Sequence, residues 1–257
     1  MKTAIVIPAR YGSTRLPGKP LLDRTGKPLI RHVYERAQSV INADRVVVAT
    51  DDQRIFDCVK GFGGEVIMTR ADHETGSGRV AAAAENLDAD IIINLQGDEP
   101  EVEPDYIDRL INLHASSDAF ASTLACRFPQ GADHGPGSPD DPSAVKAILG
   151  ADIGTNTYWA RYFTRYLYPC PRDGRGNIKT PTDYFLHVGI YAFSKQSLKA
   201  FANAPAGALE KIERLEQLRI LEMGQAIAIA LVPNAAPGID TPADYETFVK
   251  RWNEGVA

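Results

Sequence analysis

The first half of the chain alternates short, nearly continuous runs of Ile and Val with longer stretches whose apolar residues recur at helical spacing. Thr3–Pro8, Arg45–Ala49, Glu65–Met68 and Asp90–Leu95 read as strands, and their lack of polar alternation is that of strands covered on both faces. Between and after them, Leu29–Val40, Asp52–Gly61, Arg79–Leu87 and Pro104–Ala115 read as helices. Asp51 and Pro104 suit helix starts, and Gly61 with Gly63 and Gly64 suits a stop. Such alternation requires right-handed crossovers, so the predicted fold is α/β, with a mixed, mainly parallel central sheet and flanking helices. Ligands of these sheets sit beyond the carboxyl ends of the strands. Chemistry is therefore expected in Ala9–Pro20, Thr50–Asp52, Thr69–Gly78 and Gln96–Pro100.

The second half is less regular. Gln130–Pro142 and Cys170–Thr182 are rich in Gly, Pro and Asp and read as loops. Ala119–Phe128, Ala144–Leu149, Tyr158–Tyr168, Phe185–Phe193 and Ala226–Val232 read as strands, and Leu209–Gly224 and Pro242–Asn253 as helices. The organisation predicted is one domain over residues 1–257 with an inserted β-rich arm at about 128–190.

Composition removes several classes of function. The 257 residues carry a net charge of −5, which argues against a polymeric nucleic-acid partner and against a basic membrane-binding face. No segment approaches the ~18–20 apolar residues needed to cross a bilayer, and MKTAIVIPAR is too short in its apolar run for a signal peptide. Cys58, Cys126 and Cys170 are widely spaced and odd in number, which points to reduced thiols and a cytoplasmic protein. The charge is also uneven. Residues 1–36 hold eight basic side chains and two acidic ones, which directs attention to a local anion site.

That site is expected in the loop after the first strand, Ala9-Arg10-Tyr11-Gly12-Ser13-Thr14-Arg15-Leu16-Pro17-Gly18-Lys19-Pro20. Two glycines, two hydroxyls and three cations at a strand end can offer backbone N–H groups and positive charge to phosphates together. It is not a Walker A loop, because five residues separate Gly12 from Gly18 and Pro20 follows Lys19. Gly76-Ser77-Gly78-Arg79-Val80-Ala81 matches a dinucleotide-binding pattern, but seven residues separate it from Met68 and the preceding strand is the third, so it is set aside. Asp98, in Gln96-Gly97-Asp98-Glu99-Pro100, stands where a parallel strand often presents a metal-binding carboxylate, with a plain turn or helix cap as the structural alternative. Asp240 in Gly238-Ile239-Asp240-Thr241-Pro242 is a second candidate, although Thr241 by itself would account for a helix cap there. Together the two carboxylates would suit one Mg²⁺, whose remaining ligands come from substrate phosphates.

Several segments carry a resemblance. Ile7–Pro20, Val48–Asp52, Met68–His73, Asn94–Pro100, His187–Tyr191, Leu215–Arg219 and Asp240–Pro242 resemble, in order, the motifs of the 3-deoxy-manno-octulosonate (KDO) cytidylyltransferases. The resemblance implies transfer of CMP from CTP to the anomeric hydroxyl of KDO with release of pyrophosphate, a step in lipopolysaccharide precursor synthesis, by a Mg²⁺-dependent homodimer. It places Arg10, Arg15 and Lys19 on the triphosphate, the Ala9–Arg10 backbone and Thr75–Ser77 against cytosine, and Asp98 and Asp240 on Mg²⁺. It places Arg79, Gln96, His187, Tyr191, Glu213, Glu216 and Gln217 around the sugar acid, His187 as a hydrogen-bond donor rather than a general base. The chain departs from the family at Gly78, where a carboxylate is usual before the arginine, and over Tyr158–Tyr168. A related sugar acid, 8-amino-KDO or sialic acid, is the alternative substrate. A non-catalytic nucleotide- or sugar-binding module is a second class of reading, favoured by Gly78 alone.

Overall fold

A computed structural model describes residues 1–12, 15–73, 75–174 and 178–255. The chain divides into two compact units, Met1–Ile111 with Ser194–Ala202 and Ala236–Ala257, and Asn112–Phe193 with Asn203–Ala235. The arm expected at about 128–190 falls inside the second unit.

The first unit is built on four strands, β1 (Thr3–Ala9), β2 (Arg45–Thr50), β3 (Val66–Met68) and β4 (Ile91–Asn94), all parallel where they pair, in the order β3-β2-β1-β4. β1 is central, with Ile5 opposite Val46 on one side and Ile93 on the other. Its Ala4, Ile5, Val6 and Ile7 are at most 1% exposed, which is why the run reads as unbroken apolar sequence rather than alternation. Helices α1 (Leu29–Gln38), α2 (Gln53–Gly61), α3 (Gly76–Ala84) and α4 (Pro104–Ser116) follow the strands in turn. The mixed, mainly parallel α/β architecture is the one expected. Two local details differ. The cap of α2 is Asp52, whose carboxylate accepts from Arg54 N, and this leaves the neighbouring Asp51 available for other bonds. Helix α3 starts at Gly76, one turn earlier than the apolar spacing suggests, because Thr75 caps it through Gly78 N.

In the second unit β5 (Ala121–Arg127) pairs antiparallel with β8 (Phe185–Ser194) and parallel with β9 (Ile227–Val232). β6 (Lys146–Gly154) and β7 (Thr157–Thr164) form a hairpin whose β7 also runs antiparallel to β9. The β5–β8 register shifts between Thr123 and Leu124: Thr123 faces Tyr191 but Leu124 faces Val188, so Gly189 and Ile190 form a bulge. The expected helix Leu209–Gly224 is two, α6 (Ala208–Glu213) and α7 (Gln217–Glu222). Arg214 takes a left-handed φ of 53° between them, and its N–H closes α6 on Glu210 O at 2.7 Å. Apolar spacing runs on across the break, so periodicity alone does not reveal it. A helix α5 (Lys195–Asn203), which lies in the first unit up to Ala202, is additional and is begun by Ser194, whose Oγ accepts from Ser197 N at 3.0 Å. Helix α8 (Pro242–Asn253), in the first unit, has the predicted bounds.

Candidate active site

The loop after β1 is pinned in its middle. Leu16, 8% exposed, packs with Leu29, Ile239, Tyr245, Phe248 and Val249, so Arg15 and Lys19 emerge on either side of an apolar anchor. Gly18 has φ +67°, and a Cβ there would stand 3.2 Å from the Tyr11 ring, so the turn that presents Lys19 requires glycine twice over. Gly18 N donates to Tyr11 O at 3.2 Å and closes the loop. Arg10 is exposed and has no hydrogen bond or ion pair among the described residues. The hydroxyls of Ser13 and Thr14, expected to face phosphates, lie outside the described residues.

Lys19 joins the loop to both predicted metal ligands. Its Nζ is 2.8 Å from Asp98 Oδ2, 2.7 Å from Ile239 O and 3.4 Å from Asp240 Oδ1, while Arg15 Nη2 is 3.0 Å from the same Asp240 oxygen. Two features bring the carboxylates together. Ile239 N donates to Asp98 O at 2.9 Å, and Gly97 lies so close to the end of β1 that a Cβ would sit 2.9 Å from Pro8 O. Asp240 is not a helix cap: Thr241 caps α8 in a reciprocal box with Asp244, which leaves the Asp240 carboxylate to face the cations.

The donor set suits a hard cation. Two carboxylates and a carbonyl already cradle an ammonium ion, and oxygen ligands of this kind are those Mg²⁺ prefers. Among the described residues no group of three His, Cys, Asp or Glu side chains is disposed to hold a metal. Beside the pair, the Glu99 carboxyl is pushed up to about 8 by burial and by the negative charges of Asp98 and Asp240. Sequence spacing gave Glu99 no distinct role.

The Thr75–Ser77 segment lies against the end of β1. A Cβ on Gly76 would be 3.7 Å from both Gln96 Oε1 and Pro8 Cγ, and Ser77 Oγ accepts from Asn94 Nδ2 at 3.4 Å. Gln96 donates to Asn94 Oδ1 at 3.2 Å. Ser77 and Gln96 are thus linked through Asn94 beside Pro8, one residue before Ala9 closes β1, within the first unit. Arg79 is turned elsewhere. It is 4% exposed, and its guanidinium donates to Asp51 Oδ2 at 2.7 Å and Thr69 Oγ1 at 2.6 Å. Its charge is spent on protein partners, and neither Asp51 nor Thr69 was singled out from the sequence as that partner.

The other sugar-acid candidates belong to the second unit. His187 and Tyr191, on β8, have ring centroids 5.5 Å apart, and the negative charge of Glu216 adds to burial in pushing the Tyr191 hydroxyl well above its usual range. Gln217 opens α7 and is 5% exposed. The Glu213 carboxylate is bound internally, accepting from Thr164 Oγ1 at 2.7 Å and Arg165 N at 3.0 Å, while Arg165 Nε donates to Glu213 O at 2.7 Å. Lys146, fully buried, donates to Asp141 O at 2.8 Å and Arg165 O at 2.6 Å and ties the preceding loop to the same corner.

A parallel sheet whose first strand ends in a cationic loop, facing two carboxylates from later loops, is an arrangement suited to a phosphorylated ligand at the carboxyl end of an α/β sheet. A cytidylyltransferase from Leptospira borgpetersenii serovar Hardjo-bovis shares the fold at a TM-score of 0.62 and 20% identity, over 99% of this chain and 87% of its own. The chain belongs to the cytidylyltransferase family, whose model matches residues 4–227. It is 44% identical over 253 residues to a 3-deoxy-manno-octulosonate cytidylyltransferase of Syntrophobacter fumaroxidans, covering 97% of this chain and 96% of the relative. It is 41% identical over 262 residues to an 8-amino-3,8-dideoxy-manno-octulosonate cytidylyltransferase of a Shewanella species, covering 99% and 100%. A solved CMP:2-keto-3-deoxy-manno-octonic acid synthetase, complexed with CTP, superposes at a TM-score of 0.88 with 41% identity, over 99% of this chain and 100% of that one.

Proposed function

We propose that this chain joins CMP from CTP to the anomeric hydroxyl of 3-deoxy-manno-octulosonate, releasing pyrophosphate, and that it does so with Mg²⁺. The observation that carries the reading is the Lys19 ammonium held between Asp98 and Asp240 at the mouth of a cationic loop, in a chain 41% identical to a synthetase solved with CTP. Arg10, Arg15 and Lys19 supply positive charge where a triphosphate and a sugar carboxylate must approach one another. When bound, Mg²⁺ would supply Lewis-acid stabilisation of the phosphoryl oxygens and lower the pKa of a coordinated sugar hydroxyl. Asp98 and Asp240 would hold it, Lys19 and Arg15 then moving their charge to the phosphates. Ala9 and Thr75–Ser77 would receive the base, and Gln96, His187, Tyr191, Glu216 and Gln217 the sugar acid. Arg79 and Glu213 serve these groups indirectly, by holding the Thr69 and Arg165 segments in place.

The reading extends to a cytoplasmic homodimer in lipopolysaccharide precursor synthesis. Tyr166 and Tyr168, 61% and 55% exposed beside the β6–β7 hairpin, supply apolar surface for the contact. The 8-amino sugar is the second reading, favoured by the 41% identity to the Shewanella enzyme over its full length. A pyrophosphate-release panel of four nucleoside triphosphates against KDO, its 8-amino analogue and sialic acid decides between them. Turnover is expected with CTP and KDO. Faster turnover with the 8-amino sugar would overturn the substrate assignment, and CTP binding without pyrophosphate from any acid would overturn the activity.

A further inference from the structure

His187 stands on β8 two residues before the bulge at Gly189 and Ile190, in register with Ala125, and its hydrogen bonding can be resolved atom by atom. Thr123 Oγ1, from β5, is 3.0 Å from His187 Nε2, 2.8 Å from Ile190 O and 3.2 Å from Val188 O. The register shift opposite Thr123 brings both carbonyls within reach of its hydroxyl. Thr123 is fully buried, so no water relieves a wrong arrangement. A hydroxyl has one proton and carbonyl oxygens only accept, so the proton of Thr123 goes to Ile190 O. The Oγ1 lone pairs then face Nε2, which must carry hydrogen. The reverse assignment, with Thr123 donating to Nε2, would set an oxygen lone pair against two carbonyl oxygens in a buried site.

We infer that Thr123 is a positioning residue that locks His187 in the neutral Nε2–H tautomer, so that Nδ1 meets the substrate as a hydrogen-bond acceptor for a sugar hydroxyl rather than as a donor to its carboxylate. Nδ1 has no hydrogen-bond partner among the described residues. The ring is held by Phe163 on one contact and Tyr191 on another, with centroids 4.9 and 5.5 Å away, and its backbone N is tied to Val145 O at 2.8 Å. Burial pushes the imidazole down to about 3, so it does not become a two-donor cation at working pH. An acceptor selects for the hydroxylated part of the acid and against the carboxylate, which assigns the carboxylate to other groups. The identity of the ligand rests on the reading given above; the tautomer does not.

The test therefore begins without ligand. In ¹⁵N-histidine-labelled full-length protein, NMR at neutral pH is expected to show His187 with a protonated Nε2 and an unprotonated Nδ1. A protonated Nδ1 overturns the inference, whatever the enzyme turns over. Thr123→Val, close in shape, is expected to mix the tautomers and raise KM for the sugar acid about five- to ten-fold, the worth of one neutral hydrogen bond, with a smaller change in kcat and in KM for CTP. Thr123→Ser is expected to restore both tautomer and KM. If Thr123→Val shifts the tautomer and leaves the sugar KM unchanged, the positioning role is refuted. If CTP and KDO give no pyrophosphate at all, the functional reading fails while the NMR result stands by itself.

Discussion

Replacing Asp51 by Ala tests whether Arg79 is a structural cation or a substrate ligand. The Arg79 guanidinium is 4% exposed and Asp51 18% exposed by side chain, so the mutation strands a positive charge that water barely reaches. Removing one partner of a buried ion pair costs about 3–5 kcal/mol. The partial exposure of Asp51 and the surviving bond to Thr69 Oγ1 place this case at the low end, about 3 kcal/mol. For a chain of this size ~1 kcal/mol lowers Tm by about 2–4 °C, so calorimetry should record a fall of roughly 6–12 °C. The double variant Asp51→Ala with Arg79→Met should recover much of that loss, because no charge is then left unpaired. Asp51→Ala alone shifting Tm by less than about 2 °C would refute the argument. So would an Arg79→Met variant that keeps its Tm and loses only affinity for the sugar acid.

Gly78 occupies the third position of α3 after its Thr75 cap, and a Cβ there would meet Thr75 Oγ1 at 3.5 Å and His73 Nδ1 at 3.7 Å, ordinary contacts. Gly78→Glu should complete a capping box and raise stability by about 1 kcal/mol, read as a higher urea midpoint. Lys19→Met should lower CTP turnover yet tighten Mn²⁺ binding to nucleotide-free protein, measured by EPR, because the ammonium no longer neutralises Asp98 and Asp240; weaker Mn²⁺ binding would contradict the shared cradle. Burial pushes His32 and His114 down to about 4, below the ordinary 6.5, so the unfolded chain takes up protons first on acidification. Stability should be full above about 6.5 and decline as pH falls to about 4, and His114→Gln should flatten that slope in urea titrations.

Strand and helix order in the first unit was legible because each element is written in local periodicity: β1 is continuously apolar since both its faces are covered. The second unit was less legible where a single residue overrides periodicity, as Arg214 does in splitting the expected helix. The cationic loop could be named from residue types at a strand end, Asp98 from its place just past a parallel strand, and Asp240 from its place before a helix. Sequence by itself determined the fold class, the family and the side chains that carry charge. Only the tertiary structure decided how those charges pair. Lys19 reaches Asp98 and Asp240 across sequence separations of 79 and 221 residues, and Arg79 turns to Asp51 across 28. The proton on His187 depends on a hydroxyl 64 residues away and on a bulge that no local pattern encodes. The physical reason is common to all three. Residue type states what a group can donate or accept, whereas burial and a partner at hydrogen-bond distance settle what it does.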